Sequence, residues 1–166
     1  MGGMTAAVVA NREPHRVRGL VLVDPTFLSP ARQREVHESD VAERHRKALD
    51  LPQSELVADA TARHPRRSPE LTTLLAEAKL TTDLRAFDVL APPNPDYREA
   101  MRAIDVPILL VIGDRSPVVT LDMARELRRL NSRVRIEQIE DAGHGLPYDQ
   151  PERLGEVVAA FMYERR

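Results

Sequence analysis

Three apolar runs with similar endings punctuate this chain. The most continuous is Val106-Pro107-Ile108-Leu109-Leu110-Val111-Ile112, stopped by Gly113-Asp114-Arg115-Ser116-Pro117. A run of this length, rich in β-branched residues and bounded by turn signals, predicts a strand buried on both faces, hence a parallel strand with helices above and below. Pro107 is tolerated at its start, where one N–H can be spared. Residues 17–23, ending in Asp24-Pro25, and residues 133–139, ending in the loop 140–145, read alike. Helical periods lie between the runs. Leu121, Ala124, Leu127 and Leu130 fall on one face of a helix over 121–130, and a last helix from Gln150-Pro151-Glu152 turns Leu154, Val157, Val158 and Phe161 inward. At the start, Gly2 and Gly3 lead into the small-residue helix Thr5-Ala6-Ala7-Val8-Val9-Ala10, where glycine implies close approach of helix and strand. Strand, polar loop and helix in alternation is the grammar of an open α/β sheet. The expected order is 17–23, 106–112, 133–139, with 106–112 central and right-handed crossovers, and the site lies beyond the carboxyl ends of the strands.

Residues 28–103 break the alternation. Helices are expected over 30–49, 54–62 and 68–90, with a fourth over 94–104. Ser29-Pro30 and Ser68-Pro69 are their start signals, and His64-Pro65 and Ala91-Pro92-Pro93-Asn94-Pro95 are the breaks. The first is polar, with Arg32, Arg34, Glu35, Glu38, Glu43, Arg44 and Arg46, the pattern of a solvated face. This much helix exceeds a simple crossover. It predicts a helical cap over 28–103 inserted above the strand ends of a core made of 1–27 and 104–166.

Composition narrows the class. At 166 residues, with 42% hydrophobic and 30% charged positions, the chain reads as a soluble globular protein. A formal net charge of −2 predicts no pull on nucleic acid or an anionic membrane surface. The chain contains no cysteine, which excludes disulfides and thiolate metal sites. No apolar run approaches the ~18–20 residues of a membrane helix. The first residues lack a charged segment followed by an apolar one, so no signal peptide is expected and the cytoplasm is the default location. Neither a cofactor nor a metal is expected.

The most informative polar residue is His144, in Asp141-Ala142-Gly143-His144-Gly145 after the third run. Flanking glycines allow sharp backbone turns and present the imidazole at the carboxyl edge of the sheet, where it can move protons near neutral pH. Two carboxylates can orient it: Asp24 ends the first run and Asp114 lies just past the central one. Each also has a plainer reading as a turn or cap residue. His15, His37, His45 and His64 fall in a turn or on charged helices and are expected to be structural.

These elements in this order resemble the C-terminal part of the α/β-hydrolase fold. Arg18-Gly-Leu-Val-Leu-Val-Asp-Pro25 looks like its sixth strand, residues 106–114 like its seventh, and Val134 to His144 like its eighth strand and histidine loop. Residues 28 to about 100 occupy the place of its cap. The opening Met1-Gly2-Gly3-Met4-Thr5-Ala6 resembles the tail of the nucleophile elbow G-x-S-x-G. Met1 falls on the residue after the nucleophile, whose N–H serves the oxyanion hole, and Gly2 falls on the final glycine.

The resemblance implies an esterase-like hydrolase of small molecules, using Ser, His and Asp and no cofactor. It also implies that the serine stands just ahead of Met1, so the chain alone is expected to be inactive. The family's commonest acid position is held here by Ser116. That favours Asp24, at the place after the sixth strand where some members keep their acid, over Asp114. Two alternatives follow. One is a non-catalytic interaction module or half-protein that assembles with another chain through the open edge of the 17–23 strand, the edge through which a homo-oligomer is also expected. The other is a cofactor-free haloperoxidase or lyase relative.

Overall fold

A computed structural model describes residues 2–91, 93 and 95–164. It divides the chain into two compact units, one within 1–29 and 95–166 and one over 30–94. In the first unit β1 (Leu20–Val23), β2 (Ile108–Gly113) and β3 (Val134–Ile139) form one parallel sheet in that order. Leu20 pairs with Ile108, Val23 with Val111, Ile108 with Val134 and Gly113 with Ile139. Helix α1 (Gly2–Arg12) precedes β1. The second unit holds α2 (Pro30–His37), α3 (Val41–Leu49), α4 (Gln53–Arg63) and α5 (Pro69–Thr81). Then come α6 (Tyr97–Ala103) before β2, α7 (Leu121–Leu130) before β3, and α8 (Leu146–Asp149) and α9 (Pro151–Tyr163) after it. Among the described residues no helix is long and apolar enough to cross a membrane.

All six residues of β2 are buried, and they alternate between two cores. Ile108, Leu110 and Ile112 join Leu20, Leu22, Ala7, Ala10, Met101, Ala124 and Leu127, the face covered by α1, α6 and α7. Leu109 and Val111 join Ile139, Leu146, Val157 and Phe161 under α8 and α9. Each such buried Leu, Ile or Val contributes about 1.5–3 kcal/mol relative to exposure. The two outer strands are less buried than their apolar runs suggest. β3 turns Arg135 and Gln138 to solvent, and the Arg135 guanidinium reaches Glu137 at 2.9 Å and Glu164 at 3.0 Å. Pairing of β1 starts only at Leu20, because a short 3₁₀ turn occupies Pro14–Arg16.

A buried asparagine ties the sheet's amino end together. Asn131 donates to the carbonyls of Met101 and Ile104, both at 2.8 Å, and accepts from Arg133 N at 3.0 Å. Helix α6 therefore belongs to the sheet unit, and the expected core boundary at 104 falls at 95 instead. Tyr97 explains why, stacking on Phe27 with ring centroids 5.3 Å apart. Gly3 carries the expected close approach of α1, since a Cβ there would lie 2.6 Å from Pro25 Cβ; Gly2 meets nothing within 4 Å.

In the second unit, the helix expected over 30–49 is interrupted. Ser39 Oγ donates to Val36 O at 2.6 Å, and Asp40 opens a new helix, so short polar side chains compete with the helical ladder. The helix expected over 68–90 starts as foreseen, with Ser68 Oγ accepting from Leu71 N at 3.1 Å, but stops at Thr81. Thr81 and Thr82 hydroxyls bond back to Ala78 O, and Asp83 caps a 3₁₀ segment over Leu84–Leu90. The small core is Ala48, Leu56 and Ala76. His45 is buried beside it, its Nε2 3.0 Å from Thr82 O and its ring against Phe87, a satisfied structural histidine.

Candidate active site

The site begins with two abrupt strand endings. Asp24 continues the β1 ladder, donating N–H to Val111 O at 2.8 Å, and then turns with φ of 41°. Positive φ is strained for a residue with a Cβ, and the following Pro25 disfavours a turn of the chain here further. Asp141, after β3, also has positive φ, 58°. Aspartate tolerates this region better than most residues. These two aspartates, rather than the glycines beside His144, make the turns; among the described residues no glycine has positive φ. The glycine that the histidine loop requires is Gly113 at the end of β2. A Cβ there would lie 2.2 Å from Ala142 O and 2.8 Å from Gly143 O, so the loop's backbone rests directly on it.

The loop is pinned on three sides. Arg115 N donates to Ala142 O at 3.0 Å, Ala142 N donates to Asp114 Oδ1 at 3.1 Å, and Gly143 N donates to Asp149 Oδ2 at 3.0 Å. So held, His144 places Nδ1 2.6 Å from Asp24 Oδ2. The carboxylate is fully buried, whereas the imidazole side chain is 54% exposed. An ionised carboxylate only accepts, which assigns the proton to His144 Nδ1 and leaves the Nε2 lone pair available. Ser116 Oγ donates to the same Asp24 oxygen at 2.6 Å. Asp24 Oδ1 is buried with no hydrogen-bond partner among the described residues.

The structure thus brings His144 and Asp24 together and puts Asp114 elsewhere. The Asp114 carboxylate is engaged by the Ala142 amide, with the Arg115 guanidinium 3.9 Å away and reaching on to Asp141 at 2.7 Å. It orders the loop and does not touch the imidazole. Met1 lies outside the described residues. Gly2 opens α1, whose next residue, Gly3, packs on Pro25 beside the site. In the sequence Ser116 stands at the family's commonest acid position and is one of several available hydroxyls; its tie to Asp24 spans 92 residues, and no local pattern signals it. Among the described residues no group of three or more His, Asp or Glu is arranged to hold a metal ion.

Comparison with known proteins points one way. The family model described as "Alpha/beta hydrolase family" matches residues 1–157. The sn-1-specific diacylglycerol lipase ABHD11 of Mus musculus is 28% identical over 181 aligned positions, covering 98% of this chain and 56% of the lipase. Among solved structures, an esterase from Thermogutta terrifontis superposes with a TM-score of 0.73 at 23% identity, over 98% of this chain and 62% of the esterase. The enol-lactonase from Burkholderia xenovorans LB400 gives 0.71 at 22% identity, over 98% and 63%. These solved structures establish likeness of fold. The chain spans less than two thirds of the length of each of these relatives.

Proposed function

The chain belongs to the alpha/beta hydrolase family, and from that premise we propose that it carries the base and the acid of a Ser-His-Asp hydrolase acting on small-molecule esters. The observation that carries this reading is the 2.6 Å bond from His144 Nδ1 to the buried Asp24 carboxylate. It leaves Nε2 as a base on an accessible side chain at the carboxyl end of the sheet. In the proposed reaction a serine hydroxyl gives its proton to His144 Nε2 as its oxygen attacks the acyl carbon, and His144 then protonates the leaving alcohol. Asp24 holds the imidazole in one tautomer and stabilises the imidazolium. In the triad template, loss of this acid function costs about 10⁴-fold in rate.

The nucleophile in this reading is a serine of a G-x-S-x-G elbow, just ahead of Met1 and outside these 166 residues. Met1 N–H then serves the oxyanion, Gly2 closes the elbow, and the helical unit 30–94 acts as a cap that selects substrate. The ester preference rests on the names of the relatives, a lipase, an esterase and a lactonase. Hydrolysis of p-nitrophenyl acetate and labelling by a serine-directed phosphonate test the reading. The 166-residue chain should give neither, and a form extended through the elbow serine should give both, lost on His144→Ala. Stoichiometric labelling of the short chain, or activity indifferent to His144→Ala, overturns it.

One observation favours a second reading, an assembly module. A groove of about 620 Å³ is lined by Arg16, Val17, Arg18, Gly19 and Val21, at and before β1, and by Phe161 and Met162 of α9. An edge strand beside apolar side chains is a template for pairing with another chain.

A further inference from the structure

Asp24 Oδ2 carries a second short hydrogen bond that a base and acid alone do not require. Ser116 Oγ lies 2.6 Å from the oxygen that also accepts His144 Nδ1–H. The serine is itself fixed. Its Oγ accepts from Val118 N at 3.0 Å and its own N–H donates to Gly113 O at 3.2 Å. Because an ionised carboxylate can only accept, the hydroxyl proton is directed at Asp24. The result is a one-way chain, from Val118 N–H to Ser116 O–H to Asp24 Oδ2, with His144 Nδ1–H arriving at the same oxygen.

The aspartate needs such support. The terminal torsion of an aspartate is broad and roughly two-fold, so the carboxylate plane is set by its hydrogen bonds. Among the described residues Oδ1 has no partner to resist rotation. We infer that Ser116 is a positioning residue: it fixes the Asp24 carboxylate so that His144 is held as the Nδ1–H tautomer with Nε2 free. This rests on the reading of His144 as the catalytic base. Charged groups on the surrounding loops include Asp114, engaged by Ala142 N; Asp149, engaged by Gly143 N; Arg115, paired with Asp141; and the exposed Glu140. Substitution at 116 touches none of these bonds, so a change at His144 reports on Asp24.

Ring nitrogen NMR of the 166-residue chain tests this. Wild type should show neutral His144 as Nδ1–H. In Ser116→Ala the ratio of Nδ1–H to Nε2–H should fall about tenfold, the scale of one hydrogen bond to a charged group. Ser116→Thr, which keeps the hydroxyl, should restore it. An intact tautomer ratio in the alanine variant overturns the inference. Should Ser116→Ala fail to fold, Ser116→Cys matches the size with a weak donor. It should behave as alanine was expected to, and a wild-type tautomer ratio there overturns the inference. Absence of esterase activity in every form, with the tautomer response present, removes the hydrolase reading and leaves the role of Ser116 standing.

Discussion

Replacing Gly113 with alanine should dislodge His144 without touching it. The new Cβ would stand 2.2 Å from Ala142 O, 2.7 Å from the carbonyl carbon and 2.8 Å from Gly143 O. These are backbone atoms and cannot rotate aside. Ordinary contact begins near 3.4 Å, so the loop must retreat by about 1 Å. His144 follows two residues later, and a 1 Å retreat takes its 2.6 Å bond to Asp24 out of hydrogen-bond range. Overpacking costs about 1–3 kcal/mol. The lost hydrogen bond to a charged group adds about 1.5–3 kcal/mol. A total of roughly 2.5–6 kcal/mol is a large share of the ~5–15 kcal/mol stability of a typical domain. At about 2–4 °C per kcal/mol for a chain of this size, the melting temperature should fall by roughly 5–24 °C. Urea denaturation with ring NMR of His144 reads both effects. A stability change within about 0.5 kcal/mol, with the His144 signals unmoved, would refute the argument that the loop's backbone rests on Gly113.

Further outcomes follow from the fold. Asn131→Ala strips partners from Met101 O, Ile104 O and Arg133 N at once and should cost about 2–4 kcal/mol by urea denaturation, because buried unpaired backbone groups are expensive. Burial pushes the Tyr97 phenol above its ordinary 10.0, the neighbouring Arg98 opposing this more weakly. The folded state therefore holds that proton more tightly, so stability is intact below pH 10 and declines as pH rises toward the folded value. Tyr97→Phe should flatten that alkaline decline in the urea midpoint, and an unchanged slope would assign it to other groups. We expect self-association through the β1 edge, read by light scattering coupled to gel filtration as a dimer or larger; a clean monomer at low micromolar concentration contradicts it.

How much of this was legible depends on how local each cause is. β2 announces itself because every residue from Ile108 to Ile112 is apolar and buried, and the pattern needs no knowledge of its neighbours. Asp24 and His144 are legible for a related reason: in a parallel sheet, polar residues just past the apolar runs must meet at the carboxyl edge. The choice between Asp24 and Asp114 was not decidable from residue patterns alone, since both follow strands. In the structure Asp24 Oδ2 lies 2.6 Å from His144 Nδ1, whereas the Asp114 carboxylate is taken up by Ala142 N. Gly113 was read only as a stop signal, because the loop that rests on it comes 29 residues later. The break between α2 and α3 escaped notice because Ser39 and Asp40 sit in an otherwise helical run. Ser39 Oγ bonds back to Val36 O, and Asp40 stands at the start of α3 without a side-chain capping bond, so no loss of periodicity marks the break.

We propose that Asp24 holds His144 as a base, and ring nitrogen NMR of wild type beside Asp24→Asn is the sharpest check on this role. Asparagine keeps the size but presents an uncharged group at a nitrogen now 2.6 Å from a buried carboxylate. Wild-type His144 should be protonated at Nδ1 and free at Nε2, and in Asp24→Asn it should shift toward the Nε2–H tautomer. A wild-type imidazole that already populates both tautomers like free histidine, and does not respond to Asp24→Asn, would contradict it.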